Sequence, residues 1–127
     1  WSGAPQRAKR GGSNSILLVE ADAFSRRMLA PLLAAAGYDV TVAGGLHEAR
    51  DAAQMGAAYD VVVGDPAALS RLCDEGYFKD IPRLGVGENA YGSPVEGFVA
   101  VMDRADRGGL IAALDKAARE RGAAAAA

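Results

Sequence analysis

The sequence has one cysteine, one histidine and one tryptophan, and aromatic residues make up only 6% of its 127 positions. The lone Cys73 excludes an internal disulfide and suits a reducing, cytoplasmic compartment. One cysteine and one histidine also exclude a closed zinc site of four nitrogen and sulfur ligands from a single chain. No apolar run approaches the roughly 18 residues that a membrane-spanning helix needs, and no signal-peptide pattern opens the chain. Charge of one sign is missing as well: the formal net charge is -2, which argues against nucleic acid or an anionic membrane as partner. What the chain does have is a hydrophobic share of 50% with 24% charged residues, enough for one core and too apolar for disorder.

The ends read as connectors. Residues 1–13 (WSGAPQRAKRGGS) carry Arg7, Lys9 and Arg10, no acid, and a Gly-Gly-Ser close, so they are expected to be a linker from a preceding domain. The start at Trp1 suggests a piece of a longer protein. Residues 122–127 form an Ala-rich tail, which leaves residues 14–121 as the domain.

Within the domain, short apolar runs alternate with helical periodicity. Strands are expected at 15–20, 38–42, 59–64, 83–86 and 97–101, the third being the most β-branched. Helices are expected at 24–36, ended by Gly37, at 46–55, at 66–74 with Pro66 in the first turn, and at 107–121. Pro31 falls inside the first helix, where a lost hydrogen bond costs up to ~3 kcal/mol unless a kink absorbs it. Five apolar strands separated by helices imply right-handed crossovers and a parallel sheet covered on both faces. In such a sheet, sites form beyond the carboxyl ends of the strands. The residues to question are therefore Glu20, Ala21 and Asp22, then Asp65, Gly87 and Val101.

Glu20, Asp22 and Asp65 have two readings. Three converging carboxylates would hold a hard cation such as Mg2+, with a strand-tip aspartate able to attack phosphorus. Acids that open loops also cap helices, and Asp22 and Asp65 each precede one. Spacing leaves both open. Three other features carry less. His47 lies in a thin amphipathic segment and reads as solvated, and Cys73 beside Asp74 and Glu75 lacks the electropositive surroundings of a reactive thiol. Arg26 and Arg27 read as exposed helix surface, although a pair at the mouth of the site would attract an anion. The first turn, Glu20-Ala-Asp-Ala23, has no glycine, so a dinucleotide-binding loop is not expected.

Residues 15–43 (SILLVEADAFSRRMLAPLLAAAGYDVTVA), followed by YDVVVGD ending at Asp65, resemble a receiver domain of two-component signalling, the CheY-like fold. The segment GFVAVMDRADRGGLIAALDKA, together with Pro31, is similar to the receivers fused to the chemotaxis histidine kinase CheA. The resemblance implies a three-layer (βα)5, flavodoxin-like five-stranded parallel sheet, here with shortened third and fourth helix regions, in a phosphorelay protein. It implies protein partners: the parent kinase's domains or another signalling protein.

The resemblance also assigns positions. Asp65 falls on the phosphoacceptor, and Glu20 on the first acid of the metal-binding pair. The second acid is replaced by Ala21, with Asp22 one place further on. Of the switch positions, the hydroxyl residue is Gly87, the aromatic is Phe98, and the lysine is Val101. From Asp65 to Gly87 there are 22 positions and from there to Val101 there are 14, both short for the family, and 88–92 leaves little for a fourth helix. Each missing charge contact removes about 2–4 kcal/mol of transition-state stabilisation, by analogy with lost oxyanion donors. The expectation is a degenerate receiver with impaired Mg2+ binding that acts by protein contact. The alternative is a phosphorylatable receiver that uses Glu20, Asp22 and Asp65 around a rearranged loop.

Overall fold

A computed structural model describes residues 15–56, 58–87, 98–103 and 106–126. The expected linker, the start of the fifth strand at Gly97 and the shortened crossover at 88–92 lie outside the described residues.

The apolar run Ser15–Val19 forms β1, buried from Ile16 onward. Helix α1 (Ala23–Ala35) follows; Asp22 caps it, and it turns Ser25, Leu29 and Leu33 inward. The helix continues through Pro31, which is exposed, and the chain then leaves through Gly37 at φ 102°. That left-handed conformation favours glycine. Next come β2 (Asp39–Ala43) and α2 (Leu46–Gln54), then β3 (Val61–Gly64) and α3 (Pro66–Asp74). The chain closes with β4 (Arg83–Gly87), β5 (Phe98–Asp103) and α4 (Arg107–Ala126).

All strand pairs are parallel, in the order β2-β1-β3-β4-β5. Alternation along the strands divides the core into two layers. Ile16, Leu18, Val61 and Val63 meet Leu29, Leu33, Leu110 and Leu114 of α1 and α4. On the other face, Leu17, Val19 and Val62 meet Ala49, Leu69 and Leu72 of α2 and α3. This is the expected three-layer α/β architecture.

Three boundaries differ from the sequence reading by two residues or more. Tyr59 and Asp60 precede β3 instead of opening it: Asp60 brackets Ser15, with its backbone N–H on the Ser15 carbonyl and its carboxylate accepting the Ser15 N–H. Strand β5 runs on to Asp103, two residues past Val101, because β4 still offers Val86 and Gly87 as partners for Met102 and Asp103. The last helix extends to Ala126, through alanines whose helix propensity is high. Among the described residues no helix is long and apolar enough to cross a membrane.

Candidate functional site at the carboxyl edge

Chain order reverses between β1 and β3, so the crevice beyond their carboxyl ends is where this topology places a site. Val19 and Gly64 are register partners there, and Glu20 and Asp65 are the next residues of each strand's exit. The approach is close. A Cβ on Gly64 would lie 2.2 Å from the Val19 carbonyl oxygen, so the residue before Asp65 must be glycine.

The three carboxylates do not converge into a ligand set, and among the described residues no group of three or more His, Cys, Asp or Glu comes together to hold a metal. The local backbone takes them up instead. Asp65 stands at the N-cap of α3, exposed, with Oδ2 accepting the Ala68 N–H at 3.1 Å and Pro66 in the first turn. Asp22 caps α1 in the same way, accepting the Ser25 N–H at 2.9 Å. Glu20 is 6% exposed; its Oε1 accepts the Asp22 N–H at 3.1 Å, and its buried Oε2 has no hydrogen-bond partner. An acceptor carboxylate at a helix N-terminus satisfies orphan N–H groups and favours the helix dipole. That local demand accounts for the placement of Asp22 and Asp65. As placed, Glu20, Asp22 and Asp65 do not make a common set of ligands for an Mg2+ ion.

Two of the switch positions, Val101 and Phe98, form an apolar seal with Pro66 of α3 around Gly85. Val101 is 8% exposed and pairs with Gly85. A Cβ on Gly85 would come within 2.8 Å of Pro66 Cγ, 3.2 Å of Val101 Cγ2 and 3.4 Å of Phe98 Cδ2. Gly85 thus leaves the space in which these three side chains meet. Phe98 is half-buried against the α2–α3 layer, and the Arg83 guanidinium lies 5.6 Å from its ring centroid. Gly87 is different: among the described residues, a Cβ there meets nothing within 4 Å.

Sequence reasoning missed the role of Arg26. It is half-buried rather than exposed helix surface, and its Nη1 donates to the carbonyl oxygens of Glu20 and Ala21, each at 2.9 Å. The signal was its place in the first turn of α1, since helical side chains lean toward the N-terminus and a long one there reaches back over the preceding loop. Arg27 is exposed as expected. His47 stands on the surface of α2, 3.5 Å from Asp51.

No family model matches the chain, and no curated protein matches it. Among solved structures it is similar to the N-terminal domain of a response regulator/sensory box/GGDEF 3-domain protein from Carboxydothermus hydrogenoformans, with a TM-score of 0.74 at 19% identity, covering 87% of this chain and 98% of that one. It is also similar to a fusion chain that carries the yeast Spc42 trimeric coiled coil, with a TM-score of 0.72 at 19% identity over 89% of this chain and 84% of that one. The likenesses establish the fold: a flavodoxin-like sheet of the receiver type.

Proposed function

We propose that this chain is a receiver-like regulatory module of a cytoplasmic two-component signalling protein, of the kind fused to a chemotaxis-type histidine kinase, and that it works by protein contact. The observation that carries this reading is the state of the carboxyl edge. Phosphoryl transfer to an aspartate needs positive charge beside the transferred group's oxygens, which carry its negative charge. Around Asp65 stand a helix N-terminus and the Pro66–Val101–Phe98 seal, with no ion pair to Asp65 among the described residues. Gly87 offers no hydroxyl to follow a phosphoryl group. The motif resemblance at both ends of the domain supports the signalling context, and β5 with α4 is the face on which a parent kinase or other signalling protein would rest.

Incubation of the chain with radiolabelled acetyl phosphate and Mg2+ tests the reading. No hydroxylamine-labile label is expected on Asp65. Stoichiometric label that disappears in Asp65→Asn would establish a working phosphoacceptor and overturn it.

A further inference from the structure

The carboxyl edge does hold a cation, supplied by the chain itself. The carbonyl oxygens of Glu20 and Ala21 turn toward one point, and Arg26 Nη1 occupies it, 2.9 Å from both. Carbonyls converging in this way make the oxygen-lined, negative surroundings that hard cations take. A guanidinium, charged across the working pH range and with several donors in a fixed fork, satisfies the same oxygens.

The group also reaches the neighbouring turn. Arg26 Nη1 lies 3.4 Å, and Glu48 Oε2 3.0 Å, from the point a Cβ on Gly44 would occupy, while Glu48 Oε1 accepts the Gly44 N–H at 2.9 Å. Gly44, having no Cβ, therefore leaves open the space that these two groups border. Glu20 adds the second, independent sign: its side chain is 6% exposed and its Oε2 is buried without a donor. A buried carboxylate oxygen lacking a donor is costly, and positive charge close by lowers that cost. Arg26 is bound to this same residue's carbonyl.

We infer that Arg26 is the resident cation of this edge: its guanidinium fills the carbonyl pair of the β1–α1 turn and closes it to divalent metal. The assignment stands on these contacts and not on the signalling role proposed above.

The test uses the full chain and Mn2+ as probe, read by paramagnetic broadening of backbone amide signals. The wild type is expected to give no saturable broadening over residues 20–26 at millimolar Mn2+. Arg26→Met keeps the aliphatic stem, removes the charge and bares the two carbonyls beside Glu20. It should bind Mn2+ there roughly tenfold or more tightly than wild type, the scale on which neighbouring groups tune metal sites, with a melting temperature that rises with Mn2+. Equal binding by wild type and Arg26→Met, or none by either, overturns the inference. A readout that needs no variant stands beside it. In cooled wild-type protein, the Arg26 Nη protons should be resolved by hindered rotation, and a single averaged guanidinium signal contradicts the assignment.

Discussion

At the scale of single residues, two glycines one strand apart make opposite demands. Gly64 abuts the β1 backbone, so Gly64→Ala drives a Cβ to 2.2 Å from the Val19 carbonyl oxygen and forces β1 and β3 apart. Overpacking typically costs about 1–3 kcal/mol, and a clash with backbone belongs at the upper end. Among the described residues, Gly87→Ala meets nothing within 4 Å and should be neutral or stabilising by up to ~1 kcal/mol. Urea unfolding of the two variants checks the pair, and equal midpoints would contradict the close approach. Asp65 yields a sharper result. If its standing role is to cap α3, Asp65→Ala costs about 0.5–2 kcal/mol while Asp65→Asn, also a good cap, stays near wild type. Its strand-tip place was legible from its spacing after Tyr59. Arg26 was not, because only the fold shows the two carbonyls turned toward the first turn of α1.

At the scale of elements, α1 carries a cost that substitution removes. Pro31 is exposed, so Pro31→Ala restores a helix hydrogen bond without disturbing the core, and a gain of about 1–3 kcal/mol in unfolding free energy is expected. The closing helix is latched to the start of β2 by Tyr38, which is 8% exposed and donates its hydroxyl to Asp115. Burial first, then the bond to Asp115 and that residue's charge, push the phenol well above its usual range, with Arg119 pulling the other way. An unfolded tyrosine titrates near pH ~10. The latch therefore contributes fully below that pH. Above it the unfolded chain loses its proton while the folded chain keeps it, and stability falls as pH rises. Tyr38→Phe should flatten this alkaline loss in urea midpoints measured from about pH 9 upward, and parallel curves for variant and wild type would contradict it. The periodic apolar runs made β1, β2, α1 and α3 readable to within a residue or two. Strand β5 ran long because its end depends on its partner β4, a non-local fact that no local pattern carries.

At the scale of the whole molecule, the three-layer sheet followed from the alternation of apolar runs and helices, and its strand order put Glu20 and Asp65 on adjoining strand exits. What alternation could not supply was how those carboxylates are spent. Strand-tip acids look the same in a sequence whether they face a metal or a helix N-terminus, and here the donors of Ser25 and Ala68 claim Asp22 and Asp65. The apolar seal is likewise a property of the assembled sheet, since Pro66 of α3 and the pair Phe98 and Val101 of β5 are distant in the chain and gather around Gly85. On the proposed reading the carboxyl edge keeps one arrangement, for constant contact with a partner in place of a switch. Titration with Mg2+ and beryllofluoride, followed through the amide signals of residues 65, 87 and 101, measures this most directly. No saturable shift at those amides is predicted through millimolar concentrations, and a saturable shift that is abolished in Asp65→Asn would contradict the account.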